Sequence, residues 1–221
     1  MITAISLMRR RADIGLEAFR HHWLRVHGPL VCGFPGLRDY VQWHVINAPP
    51  TNAPARRLRI DGFPILWFDD DAARARAHAS PEMAACNRDS RGFVGAVSRV
   101  IAEPRILMPP VATADIGLIV LFPGATPDDA EARAYAEAAL GRPGLRGLVL
   151  HQVREQGPAP HSTVPHLPVA VAGIVELRFA TRSAVSRLAA EDTAAARFLV
   201  QARDPGPLTA DEPPTSTRGS A

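Results

Sequence analysis

A period of two over Leu37–Ile46 sets Arg38, Tyr40, Gln42 and His44 on one face and Leu37, Val41, Trp43 and Val45 on the other, so this stretch is expected to be a strand, and Thr3–Met8, Phe63–Phe68 and Val97–Ala102 are expected to be strands beside it. Between the first two strands, Leu16, Phe19, Trp23, His27 and Leu30 recur at spacings of three and four. That pattern predicts one helix, from an N-cap at Asp13 to about Cys32, ending at Gly33. Two further helices are expected over Asp70–His78 and Pro81–Phe93. Asn47–Arg57, with its prolines, is expected to be a loop, and Glu103–Thr113 a proline-rich linker.

The pattern then repeats at a period of about 110 residues. Ile116–Phe122 mirrors the first strand, and Thr126-Pro127-Asp128-Asp129 is a helix start signal for a helix ending at Leu140-Gly141. Pro143-Gly144-Leu145-Arg146 repeats Pro35-Gly36-Leu37-Arg38 and opens a strand reaching Glu155. A loop over Gln156–Pro168, a strand over Val169–Phe179 and a helix over Thr181–Ala190 follow. A weakly marked last strand is expected within Gly206–Asp211. The resulting division is a first unit over 1–108, a linker over 109–115, a second unit over 116–211 and a disordered tail over 212–221. A ferredoxin-like unit (βαββαβ) leaves one sheet face uncovered, and here the second copy is available to cover it.

Composition narrows the function. Hydrophobic residues make up 47% of the 221, enough for a packed core, and no apolar run reaches the ~18 residues of a membrane span. MITAISLMRRR has its apolar stretch before its arginines, the reverse of a signal peptide, so a first strand and a cytoplasmic protein with reduced Cys32 and Cys86 are expected. All 25 basic residues are arginine, which excludes lysine chemistry. Their scatter among acids, with a net charge of +3, argues against nucleic acid as a partner. There is no Walker or dinucleotide glycine motif. His151, His161 and His166 lack cysteine or carboxylate spacing, so no metal and no cofactor are expected.

Phe19-x-x-x-Trp23-x-x-x-His27-x-Pro29, the run Pro35-Gly36-Leu37-Arg38-x-Tyr40-Val41-Gln42, Asp61-Gly62 and Leu66-Trp67-Phe68-Asp69-Asp70 occur in this order. Together they resemble the EthD family, over about residues 1–108. The resemblance implies an α+β protein of the dimeric α+β barrel type. Here it would be built from two tandem ferredoxin-like units forming an intrachain barrel, a pseudo-dimeric monomer or a homodimer. It also implies kinship with lactone isomerases and anthrone decarboxylases. Some EthD-like isomerases are thought to use a strand-three cysteine, where this chain has Leu66.

Aligning the two Pro-Gly-Leu-Arg runs sets Tyr135 opposite His27, Leu148 opposite Tyr40 and Gln152 opposite His44. The first half therefore keeps a titratable set that the second has lost, which places one pocket in the first half with the second as scaffold. His27, Tyr40 and His44 are the candidate catalytic residues, with His27 as general acid or base. Trp23 and Trp67 are candidate walls for a substrate, and Asp61 a candidate partner for an imidazole. Each has a plainer alternative: structural histidine, ordinary sheet face, core indole, turn-forming aspartate. The expected activity is cofactor-independent proton transfer (isomerisation, cyclisation or decarboxylation) on a small cyclic, aromatic or polyketide-like acid. A hydrophobic-metabolite carrier and an assembly module are the alternatives.

Overall fold

The computed structural model describes residues 1–221 except 47–51, 112–113, 126–128, 160–161, 191–192 and 210–221, and leaves aside the side chains of 186, 187, 189 and 190. Its strands are β1 (Ile2–Arg10), β2 (Leu37–Val45), β3 (Gly62–Phe68), β4 (Val94–Met108), β5 (Ile116–Pro123), β6 (Leu145–Gly157), β7 (Val171–Phe179) and β8 (Ala196–Arg203). The helices are α1 (Leu16–His22), a π-turn (Trp23–His27), α2 (Gly28–Cys32), α3 (Ala53–Leu58), α4 (Asp71–His78), α5 (Pro81–Ser90), α6 (Ala130–Ala139) and α7 (Arg182–Ala190).

The eight strands close into one barrel in the order β1-β3-β2-β8-β5-β7-β6-β4. Within it, β4-β1-β3-β2 and β8-β5-β7-β6 are two ferredoxin-like units of identical order. The seams are β2 against β8 and β4 against β6. Two tandem units thus form the α+β barrel within one chain. Each of the eight strands has a paired neighbour on both sides over at least part of its length.

Side-chain alternation sorts residues between two compartments. Ile5, Leu7, Trp43, Phe63, Ile65 and Trp67 fill the barrel interior with Phe198 and Val200. The opposite face of each unit packs under its helices. Inside the barrel lies a polar group that no motif marked. Glu176 accepts from His151 Nε2 at 3.2 Å, Trp43 Nε1 at 3.2 Å and Arg178 Nε at 2.9 Å, and Thr3 Oγ1 sits 3.2 Å from His151 Nδ1. Burial alone would raise the Glu176 pKa, but the His151 hydrogen bond and the Arg178 charge more than offset it and hold the carboxylate low. The group is satisfied on every side that a buried ion needs.

Several expectations are corrected. β4 runs on through the expected linker to Met108, because residues beyond Ala102 pair with β6. β1 pairs only as far as Ala102, so Pro104 lies where β4 has a free edge and needs no N–H. The last strand is Ala196–Arg203, not within Gly206–Asp211, and both its edges are paired. The expected loop over Asn47–Arg57 contains α3, which Asn52 caps by accepting from Ala55 N. Gly15, not Asp13, stands at the N-cap of α1, and Asp13 pairs instead with Arg11. The Thr126-Pro127-Asp128 start signal and the tail over 212–221 lie outside the described residues.

Candidate functional site

The expected single helix is broken where His27 sits. Gly28 N–H bonds to Trp23 O, five residues back, making a π-turn. Pro29 accounts for the break, since its ring would meet the carbonyl four residues earlier in a continuous α-helix. Gly28 allows a close approach: a Cβ there would lie 2.6 Å from Pro205 Cβ and 2.8 Å from Gln42 Nε2. The His-Gly-Pro sequence is thus explained by backbone geometry.

His27 is 8% exposed and lines a cavity of about 130 Å³ between the helix-side sheet face of the first unit and α2 and α5. Its Nδ1 lies 2.9 Å from Asp89 Oδ2, and the other oxygen of that carboxylate lies 2.9 Å from His22 Nε2. Burial works to raise the Asp89 pKa, but the hydrogen bonds from His27 and His22 prevail and hold it below the usual carboxylate value. An ionised carboxylate only accepts, so His27 Nδ1 carries the hydrogen. In the neutral ring Nε2 is then the nitrogen with the lone pair, and it makes no hydrogen bond among the described residues.

Tyr40 lines the same cavity. Its oxygen accepts from Trp23 Nε1 at 3.2 Å and from Gln42 Nε2 at 3.0 Å. Gln42 has no freedom to turn: Nε2 also donates to Trp23 O at 3.0 Å, while Oε1 faces His44 Nε2 at 3.0 Å. With both lone pairs of its oxygen engaged, the Tyr40 hydroxyl has its hydrogen left to donate. Burial raises its pKa well above the ordinary value, so it stays a phenol. Burial, with the Asp89 charge, also pushes the Cys86 thiol in the cavity wall up to about 12. Cys86 is wall, not nucleophile, at neutral pH.

Of the residues singled out in the sequence, the structure brings His27 and Tyr40 together. His44 lies on the far side of Trp23, its ring stacked on the indole at 4.2 Å, and burial pushes its pKa down to about 3. Trp23 is fully buried and positions Tyr40 without lining the cavity. Asp61 binds Arg10, backbone N at 2.9 Å and guanidinium, and holds no imidazole. Trp67 points into the barrel interior, its ring 6.0 Å from His151. The imidazole-holding acid is Asp89, which the sequence does not mark because α5 meets the His27 turn only in the fold. His22 shares that acid. Of the three remote histidines, His151 is inside the barrel, His166 is exposed beside Val97, and His161 lies outside the described residues.

Strand register explains why the cavity belongs to one half. Tyr40, Leu66, Ala4 and Ile101 form one row across the first unit. The matching row of the second is Leu148, Leu177, Leu118 and Leu199. One pair further along, Ser6 is matched by Val120. Small side chains at Ala4 and Ser6 leave space that Leu118 and Val120 fill. Ala4, Ser6 and Leu66 are only half-buried in mid-sheet, so the cavity reaches solvent. The second half is more than scaffold, because Ala159, Ser162 and Val164 of its β6–β7 loop complete the cavity wall. That loop is tied to β4 by Val97 N to Pro165 O and Leu167 N to Val97 O, each 2.9 Å.

The EthD domain family matches residues 11–96, a span holding His27, Tyr40 and Asp89. The first half is an EthD domain. No curated protein matches the chain. Among solved structures, an anthrone oxidase-like protein is similar at 12% identity over 96% of each chain, with a TM-score of 0.60. A putative monooxygenase from Fusobacterium nucleatum is similar at 8% identity over 91% of each chain, TM-score 0.55. One from Lactobacillus acidophilus is similar at 10% identity over 91% of this chain and 93% of its own, TM-score 0.52. These likenesses cover both halves and establish the barrel. Among the described residues, no helix of this EthD-domain protein is long and apolar enough to cross a membrane.

Proposed function

We propose that this EthD-domain protein is a proton-transfer enzyme acting on a small cyclic carbonyl compound. His27 Nε2 takes a proton from the carbon beside the carbonyl, and the Tyr40 hydroxyl donates to the oxygen as it gains negative charge. The observation that carries this reading is the pairing, on one cavity, of an acceptor nitrogen and a donor hydroxyl, each fixed in its role by partners behind it. Asp89 sets the imidazole tautomer and offsets the charge that develops when the ring is protonated. Trp23 and Gln42 aim the phenol, as oxyanion stabilisation requires. Returning the proton to a different carbon is isomerisation; ring closure starts from the same enolate, and loss of carbon dioxide from a β-keto acid leads to it and ends when the carbon is protonated.

Cavity size limits the substrate. About 130 Å³ is close to the ~150 Å³ that accommodates benzene and well short of the ~300–1,000 Å³ of drug-sized ligand sites. A single ring matches that volume, and a multi-ring polyketide would extend through the open mouth. The chemistry is assigned to the unit over 1–108, with the unit over 116–211 closing the barrel and the cavity.

The test is to incubate the protein with small cyclic ketones and lactones in D2O and follow their α-proton signals by NMR, with an oxygen electrode in parallel. Exchange faster than in buffer, without oxygen uptake, is expected. Oxygen uptake would instead favour oxygenation, in keeping with the descriptions of the structural neighbours. Binding with neither would make the protein a carrier.

A further inference from the structure

Arg99 stands on the cavity wall, 8% exposed, and its Nε is buried with no partner among the described residues. Through Nη2 the guanidinium meets Glu155 of the second half, whose side chain is 55% exposed and well screened by solvent. Desolvation, and after it the Glu155 and Arg74 charges, act on Arg99 with a net lowering of its pKa, the mark of a cation short of negative charge.

The barrel supplies an internal control. Arg99 pairs with Ser6 across β1 and β4, and Arg197 takes the matching place against Val120 across β5 and β8. In the filled half, Arg197 Nη1 donates to Leu188 O at 2.7 Å, and its guanidinium lies 5.2 Å over the Tyr135 ring. The same residue type at the same register is thus occupied by a helix carbonyl and an aromatic face where there is no cavity. Where there is one, Arg99 lines it and its guanidinium is held only by Glu155 among the described residues.

We infer that Arg99 is the anion anchor of the His27 cavity, and that the molecule taken there is a monocyclic carboxylic acid. Its ring lies against Val31, Phe34, Leu66 and Val97 and its carboxylate against Arg99. A guanidinium offers a carboxylate two parallel donors, a charge-assisted pairing strengthened by burial. The acid class deepens the proton-transfer reading and rests on it, but the anchor can be read from binding alone.

The experiment titrates the whole protein with benzoate and with benzamide, its neutral counterpart, by calorimetry. The wild type is expected to bind benzoate at least tenfold tighter than benzamide. Arg99→Met is expected to weaken benzoate at least tenfold and leave benzamide unchanged. Glu155→Gln, a change at an exposed residue, is expected to tighten benzoate by freeing the guanidinium. If Arg99→Met does not fold, the wild-type ligand pair and Glu155→Gln decide the matter. Equal affinity for the two ligands, or benzoate binding indifferent to these substitutions, overturns the anchor. His27→Gln keeps benzoate binding while losing proton exchange, so failure of the base and failure of the anchor are read separately.

Discussion

Asp89 Oδ2 lies 2.9 Å from His27 Nδ1 and so decides which nitrogen of the imidazole carries the hydrogen. Asp89→Asn keeps the shape and reverses the preference, because an amide hydrogen in that place favours a lone pair on Nδ1 and turns the proton to Nε2. Exchange of α-protons is expected to slow on the order of 10²-fold or more, the scale of a lost general base. Benzoate affinity, measured alongside, is expected to stay within about twofold, since Arg99 is untouched (~0.4 kcal/mol at RT ln 2).

Tyr40 accepts from two buried donors, so removing its oxygen leaves both Trp23 Nε1 and one hydrogen of Gln42 Nε2 unsatisfied. Tyr40→Phe is expected to lower stability by about 1–3 kcal/mol in denaturant titration. It is also expected to slow proton exchange, with kcat falling more than the apparent affinity changes, because the phenol acts on charge formed during the reaction.

The difference between the halves can be transferred. Ala4→Leu reproduces Leu118 at the matching position and is expected to abolish benzoate binding without lowering the melting temperature. Leu118→Ala makes the opposite change in a closed core and is expected to cost about 2–5 kcal/mol. A melting temperature lowered by Ala4→Leu would mean that the first-half space is narrower than the register comparison implies.

His44 gives the fold an acid-side weakness. Its pKa is about 3 in the folded chain, against an ordinary 6.5, so below pH 6.5 the unfolded chain binds a proton that the folded chain does not. Stability is full above pH 6.5 and is lost as the pH falls toward 3. Asp89 and Glu176, held below ordinary carboxylate values, add to this only below about pH 4.5. Melting temperatures between pH 6.5 and 4.5 are expected to fall for the wild type and to be nearly flat for His44→Gln.

The sequence carried the repeat, most elements of both units and the His27–Tyr40 pairing, because these rest on local periodicity and on residues near one another in the chain. Partners fixed by the fold were hidden. Asp89 reaches His27 across 62 positions and Arg99 meets Glu155 across 56. Asp61 looked the better imidazole partner, but the fold sets it against Arg10, 51 positions away. His44 shares a strand face with Tyr40, yet the Trp23 ring between strand and solvent takes its flat side. Prolines hid the extension of β4, since a strand with one free edge tolerates them. β8 was missed because its order comes from the neighbours that close the barrel on either side.

The most direct measurement is the rate of α-proton exchange into 4-oxocyclohexanecarboxylate in D2O, wild type against His27→Gln, with melting temperatures taken in parallel. The wild type is expected to accelerate exchange over buffer, and His27→Gln to bring it back to the buffer rate while melting within a few degrees of the wild type. Equal exchange by the two proteins would contradict the assignment of His27 as the base.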